Sequence, residues 1–128
     1  MVEDRTTDGT RIAQLLSSEV SGREDSGLGA LDVVNADPDV EPSEDGELAY
    51  EVGRERDGDS ETLAEVYVHP DRVRVEFRAG VDAAAEVGEE AGLCVRPKAV
   101  RPPRTLVFVE DGAAVKRATD VFVAVLDG

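Results

Sequence analysis

The sequence predicts one α+β domain built as a two-layer sandwich. Strand-like segments come in runs with helical segments between them, in the order α-β-β-β-β-α-β-β-α, which is typical of this class. The chain has 128 residues, 41% of them apolar, enough for one core and one domain over 1–128. We therefore expect about three helices on a mostly antiparallel sheet of five to six strands. The order of the C-terminal elements is ferredoxin-like.

The N-terminal half is predicted to begin with a helix over 10–21. Its apolar residues fall on one stripe, and these are Ile12, Leu15, Leu16 and Val20. Strands follow over 28–34, 46–54 and 61–69. The segment 35–47 between the first two strands is rich in acids and has no hydrophobic periodicity, so we expect an acidic flexible loop.

A β-hairpin is predicted around the sequence His69-Pro70-Asp71-Arg72. With Pro70 and Asp71 as the turn, apolar residues oppose one another on one face of the hairpin. These pairs are Val68 with Val73, Val66 with Val75, and Ala64 with Phe77. The other face then pairs Tyr67 with Arg74, whose guanidinium can stack on the ring, and Glu65 with Glu76.

The C-terminal part is predicted to hold two more helices and two more strands. A short alanine-rich helix begins near Val81 and ends at Gly92, and a strand follows from Leu93. Residues 105–109 form a strand that is apolar at both odd- and even-numbered positions from Leu106 onward. We therefore expect it at the sheet centre, covered on both faces. Asp111 is predicted to cap the last helix.

The charge balance describes the solvent of the protein. The chain carries 29 Asp and Glu against 14 Lys and Arg, a net charge of -15. Such a chain repels itself in dilute buffer, whereas molar salt shortens the screening length to about 3 Å. We expect a halophilic, acidic protein of a salt-rich cytoplasm. A GC-rich genome would explain the preference for Arg over Lys, but not the acid excess.

Cysteine content and the chain start favour a soluble cytoplasmic protein. Cys94 is the single cysteine, which excludes an internal disulfide and a zinc site built on thiolates. The start is acidic, without the apolar region of a signal peptide, and no apolar run is long enough to span a bilayer. We expect no membrane association.

Candidate catalytic residues are few, and the sequence argues against an enzyme without excluding one. The only histidine, His69, is expected to face solvent at the hairpin turn. Cys94 lies between apolar neighbours and is expected in or near the core. The Glu65 and Glu76 pair could act as an acid/base dyad or be a chance juxtaposition among many acids. No metal or phosphate-loop motif is complete, so no cofactor is expected.

A cluster of cations interrupts the acidic background and forms the candidate site for an anion or a partner. Its members are Arg72, Arg74, Arg96, Lys98, Arg101 and Arg104. They could bind phosphate groups or an acidic partner, or they could pair with carboxylates of the chain itself. Nucleic acid is disfavoured, though not excluded, because only Tyr50 and Tyr67 are expected to be available for stacking. The three phenylalanines, Phe77, Phe108 and Phe122, are expected to be buried.

The last helix has more apolar surface than one sheet face requires. Residues 121–126 are apolar all the way round the helix. The surplus surface predicts a second partner, either another part of the chain or a second copy. Phe122 and Val123 are therefore candidate self-association residues of a possible homodimer.

Three segments carry a resemblance to a known family. These are TDGTRIAQLL over 7–16, VHPDR over 68–72 and RPPRTLVFVE over 101–110. With them the chain resembles a small family of uncharacterised haloarchaeal proteins with no assigned activity. The resemblance implies a salt-rich cytoplasm and supplies no catalytic residue. The function expected from the sequence is a non-enzymatic binding or assembly domain; alternatives are a small enzyme and a nucleic-acid-binding protein, each using the cations for an anionic ligand.

Overall fold

The computed structural model describes residues 7–22, 31–37, 39–56 and 58–127. Within them it confirms the α+β class and the predicted order of elements. The helices are α1 (Gly9–Gly22), α2 (Val81–Glu90) and α3 (Ala114–Asp127). The strands are β1 (Leu31–Val34), β2 (Glu47–Arg56), β3 (Asp59–Val68), β4 (Val73–Phe77), β5 (Cys94–Lys98) and β6 (Arg104–Val109). Residues 28–30 of the predicted first strand lie outside the described residues.

The strands form one antiparallel sheet in the order β1-β2-β3-β4-β6-β5. The predicted hairpin register is confirmed at every pair between β3 and β4, including Tyr67 with Arg74 and Glu65 with Glu76. In the C-terminal part, β6 lies between β4 and β5, and α2 connects β4 to β5. This is the split arrangement of a ferredoxin-like unit.

All three helices pack on one face of the sheet and against one another, with α3 between α1 and α2. This inner face is apolar and dry, because valines of β3, β4 and β6 point into it and are buried. The rings of Phe77 in β4 and Phe122 in α3 meet in the core with centroids 4.9 Å apart.

Local sequence signals fix the helix ends. The N–H of Ala114 donates to Asp111 Oδ1 at 2.8 Å, which confirms the predicted cap of α3. Gly92 has a φ of 80° directly after α2, in the left-handed region that favours glycine. At the start of α1, a Cβ on Gly9 would overlap the carbonyl oxygen of His69. Glycine therefore allows α1 to pack directly on the hairpin turn.

The position predicted for β6 is wrong. This strand lies next to the edge strand β5, and its outward residues Leu106 and Phe108 are only half-buried. The odd-numbered valines of this strand therefore lie on the covered inner face, whereas Leu106 and Phe108 lie on the partly exposed outer face. Pro97 lies in β5, where an edge strand tolerates the missing N–H.

No helix in the described part of the chain is long and apolar enough to cross a membrane.

Candidate functional site

The face of the sheet opposite the helices, called here the outer face, holds most of the cations singled out in the sequence. Residues directly opposite each other on paired strands point to the same face, so the register defines cross-strand rows. The first row is Leu48, Tyr67, Arg74, Phe108 and Cys94. The second row is Val34, Glu51, Glu65, Glu76, Leu106 and Arg96. The third row is Asp32, Gly53, Thr62, Arg104 and Lys98, with Arg78 just past the end of β4.

The outer face is not covered by any helix of the described residues. Val34 and Leu48 are 40% and 38% exposed, and both lie on this face at its β1 and β2 side. Cys94 and Arg96 are exposed at the β5 side. The expectation that Cys94 lies in or near the core is therefore wrong. That expectation rests on the apolar neighbours Leu93 and Val95, which point inward. Since side chains alternate between the two faces of a strand, the residue between them points outward.

A buried carboxylate lies at the centre of this face. Glu76 is only 1% exposed, although the sheet face around it is open, because three cations enclose it. Its Oε1 accepts from Lys98 Nζ at 3.2 Å and from Arg104 Nη1 at 2.9 Å. Its Oε2 accepts from Arg74 Nε at 2.9 Å. Burial alone would raise the pKa of Glu76, but the hydrogen bonds from Arg104 and Lys98 outweigh it, and the pKa is lowered.

Glu65 extends this network to β3. Arg104 Nη1 also donates to Glu65 Oε1 at 2.6 Å, so one guanidinium bridges both carboxylates. The hydroxyl of Tyr67 donates to the same oxygen at 2.9 Å, and Arg78 lies 3.8 Å from Oε2. Burial and the hydrogen bond to Glu65 raise the pKa of Tyr67. We call Glu65, Glu76, Arg74, Lys98 and Arg104 the Glu76 cluster.

Chemically, the lowered pKa of Glu76 means that its carboxylate is held in the ionised form. A carboxylate dyad can act as an acid only when one pKa is raised, as between two unscreened neighbours. Here cations lie between the carboxylates, and the pKa of Glu76 moves in the opposite direction. For the same reason the pKa of Arg104, which burial would lower, is raised by its two carboxylate partners. The cluster is an ion-pair network, not an acid/base pair.

The aromatic rings of the outer face carry guanidinium groups. The Arg74 guanidinium lies 4.5 Å from the centroid of the Tyr67 ring, as the register predicted, and that of Arg72 lies 5.7 Å from Phe108. Phe108 is half-buried, which corrects the expectation that it is buried. Tyr50, expected to be available for stacking, is instead buried in the core, and its hydroxyl donates to the carbonyl of Ala13 at 2.8 Å.

His69 lies beside this network and is buried, so the expectation of a solvent-facing turn residue is wrong. It is 4% exposed, because residues 44–46 before β2 fold over it. Arg74 Nη1 lies 3.1 Å from Nε2 and can only donate, so Nε2 accepts. Nδ1 therefore carries the proton and donates to the carbonyl of Glu44 at 3.0 Å. Burial, with Arg74 and Arg72 nearby, lowers the pKa of His69.

An open cleft of about 410 Å³ adjoins His69, lined also by Glu44, Pro70, Asp71 and Arg72. Both ring nitrogens of His69 already have partners, so the imidazole has no free position for a substrate. No group of three or more His, Cys, Asp or Glu residues within the described ranges could hold a metal ion.

The six predicted cations divide into two groups. Arg74, Lys98 and Arg104 belong to the Glu76 cluster, and Arg72 pairs with Asp71 at 3.3 Å. Pairing with the chain's own carboxylates, left open by the sequence, therefore applies to these four. Arg96 in β5 and Arg101 in the β5–β6 connection are exposed and make no ion pair with any described residue.

The two candidate self-association residues lie on the helix side of the molecule. Phe122 is fully buried against Phe77 and is not accessible to another chain. Val123 is half-buried. Much of the surplus apolar surface of α3 is covered by α1 and α2, the intramolecular alternative that the sequence left open.

Comparison with known proteins places the chain in a family and gives no activity. No curated protein and no solved structure matches the chain significantly. A family model matches residues 1–128. The chain therefore belongs to DUF7993, a family of unknown function.

Proposed function

We propose that this protein is a non-enzymatic binding domain of a salt-rich archaeal cytoplasm and that it recognises a protein partner through the outer face of its sheet. The observation that carries the proposal is the composition of that face. Exposed apolar side chains, half-buried aromatic rings and the unpaired Arg96 lie on that face, which no described helix covers, and the unpaired Arg101 follows in the β5–β6 connection. Aromatic residues and arginine are enriched in protein interfaces.

Two observations favour binding over catalysis. Glu76 is held ionised by three cations, and His69 has a partner on each ring nitrogen. Neither group is free to exchange a proton with a substrate in the cleft beside it. The small-enzyme alternative would need a general base with an open position, and His69, the one imidazole at this cleft, offers none; the other titratable side chains that line the cleft are Glu44, Asp71 and Arg72.

The outer face favours a protein over a nucleic acid. The second and third rows of this face hold carboxylates as well as cations, and the exposed Asp32 and half-buried Glu51 would repel a phosphate backbone. The rings of Tyr67 and Phe108 already stack with guanidinium groups and are not free to stack with bases. At molar salt, moreover, the release of counterions from phosphate contacts contributes little to binding.

The salt-rich setting is proposed from the charge balance. With a net charge of -15, the fold should lose stability in dilute buffer through repulsion between carboxylates. We expect the Tm to rise as KCl is raised from the millimolar to the molar range, measured by circular dichroism. A Tm that is independent of KCl would contradict this part of the proposal.

Recovery of partners from native cells tests the function directly. Tagged wild-type protein is purified in molar KCl beside the variant Arg96→Glu/Arg101→Glu, and the bound molecules are identified. The matched control is Lys116→Glu, the same kind of charge change at an exposed position of α3. We expect a protein partner that is lost from the double variant and kept by the control. Equal recovery with all three, or recovery of nucleic acid alone, would overturn the proposal.

A further inference from the structure

The charges of the outer face are separated into two halves. The half formed by β1, β2 and β3 carries Asp32, Glu51 and Glu65 in its rows and no cation. The half formed by β4, β6 and β5 carries every cation of the rows, namely Arg74, Arg78, Arg96, Lys98 and Arg104. Its one carboxylate, Glu76, is enclosed by three of these cations.

The outermost charges of each half have no ion-pair partner among the described residues, although Glu51 accepts a hydrogen bond from Thr62 Oγ1 at 3.4 Å. Asp32 is exposed and Glu51 is half-buried, and neither makes an ion pair with a described residue. Arg96 is exposed at the opposite edge and also has none. Opposite unpaired charges therefore lie on opposite edges of one face, too far apart to meet within one molecule, because the sheet is six strands wide.

A two-fold axis can bring these edges together. If two sheets pack face to face about an axis parallel to the strands, passing between β3 and β4, then β1 of each copy lies over β5 of the other, β2 over β6 and β3 over β4. Residues of one row then face the same row of the second copy. Asp32 of one copy then faces Lys98 of the second copy. Arg96 of one copy faces Val34 of the second copy, and Asp32 of the second copy lies diagonally from Arg96.

Resting on the proposed function above, we propose that the partner of the outer face is a second copy of this chain, docked sheet to sheet about this two-fold axis.

The apolar residues of the face agree with the same axis. In the first row, Leu48 in β2 of one copy faces Phe108 in β6 of the second copy. One of the most exposed apolar side chains of the face therefore covers a half-buried ring. In the second row, Glu51 faces Leu106 and lies diagonally beside Arg104 and Arg96. Each contact occurs twice, because the interface is isologous.

The other face-to-face two-fold axis, perpendicular to the strands, is disfavoured by charge. It places β5 over β5 and β1 over β1, so that Arg96 and Lys98 face the same cations of the second copy. Like charges brought into contact are repulsive even at molar salt, since screening acts over about 3 Å and contact excludes the salt between them. The parallel axis pairs the acidic edge with the basic edge, and the Glu65 and Glu76 side chains that it also brings face to face are each paired with cations of their own copy.

A charge-swap series measured by sedimentation equilibrium in molar KCl tests the proposal. We expect a dimer for the wild type and about a tenfold or larger rise in its dissociation constant for Arg96→Glu and for Asp32→Arg, since each change occurs twice. The combination Asp32→Arg/Arg96→Glu should recover part of the loss seen for Asp32→Arg alone, because it re-forms the diagonal pair although the introduced arginine still faces Lys98.

Matched controls on α3 separate specific contact from net charge. Lys116→Glu and Asp120→Arg make the same charge changes at exposed positions on the helix side and should leave the dissociation constant unchanged. A wild type that is monomeric at every concentration, or a double variant that binds no more tightly than Asp32→Arg alone, would overturn the dimer. If the wild type is monomeric while a different protein is recovered in a way that depends on Arg96 and Arg101, the dimer fails and the proposed function stands.

Discussion

The two faces of one sheet have the same alternation of side chains and opposite chemistry. On the inner face, valines of β3, β4 and β6 and the Phe77 ring are buried under three helices and hold the fold by apolar burial. On the outer face, the buried carboxylate of Glu76 organises three cations, and no helix of the described residues covers them. The comparison indicates that the inner face supplies stability and that the outer face presents charges in fixed positions.

The outer face also differs from an ordinary solvated face. Surface ion pairs contribute little to stability, because both partners stay hydrated. In the Glu76 cluster the carboxylate is dehydrated, and the cost of its burial is offset only by complete pairing of both its oxygens. This arrangement fixes Arg74, Lys98 and Arg104 in place, as recognition of a specific partner requires.

The largest effect on stability is expected at the inner face. Phe77→Ala leaves a cavity against Phe122 and should lower the free energy of unfolding by about 4 kcal/mol, measured by denaturant titration in molar KCl. Phe108→Ala removes a ring from the outer face and should cost below about 1.5 kcal/mol, since that ring is only half-buried. Similar losses at the two positions would show that the faces do not differ as described.

A smaller loss is expected from Glu76→Gln. The amide keeps the shape but leaves Arg74, Arg104 and Lys98 without a central negative charge, at a cost of about 2 kcal/mol. Glu51→Gln is the matched control on the same row, and it should change stability by less than about 0.5 kcal/mol. If both variants unfold at the same denaturant concentration as the wild type, Glu76 does not organise the face.

The smallest effect concerns pH. The pKa of His69 is lowered in the fold from its ordinary value of 6.5, so the unfolded chain takes up a proton at a higher pH than the folded one does. This contribution to stability is therefore complete above about pH 6.5 and is lost as the pH falls through the lowered pKa. The pKa of Glu76 is also lowered, so a second loss of stability follows as the pH falls below 4.5, the ordinary pKa of a glutamate side chain.

The loss of stability that begins as the pH falls below about 6.5 can be assigned to His69, because the chain has one histidine. His69→Gln should remove the decline in Tm that begins as the pH falls below about 6.5. A decline of the same size in this variant would mean that His69 is not the titrating group.

Local patterns were sufficient for the hairpin and for the helix ends. The register of β3 and β4 follows from one turn position and from alternation, and the cap of α3 from Asp111 and the apolar pattern after it. These features depend on residues close together in the chain. The same local register is sufficient to place Arg74 opposite Tyr67 and Glu65 opposite Glu76, whatever the order of the other strands.

The remaining errors concern contacts between distant segments. Burial of His69 depends on the carbonyl of Glu44, 25 residues away, and no local pattern predicts that contact. The half-exposure of Phe108 depends on β6 lying next to the edge of the sheet, which only the strand order determines. The separation of charges across the outer face has the same origin, since β1 and β5 reach opposite edges only through the topology.

The distance between two spin labels tests the central claim most directly, because the chain offers a single cysteine at the periphery of the outer face. With a nitroxide on Cys94, the proposed dimer separates the two labelled Cα atoms by five strand spacings and one sheet spacing, about 26 Å. Double electron–electron resonance in molar KCl should give a distance distribution centred near this value, and Arg96→Glu should abolish it. Absence of dipolar coupling in the wild type, or only distances far above this value, would contradict a dimer formed through the outer face.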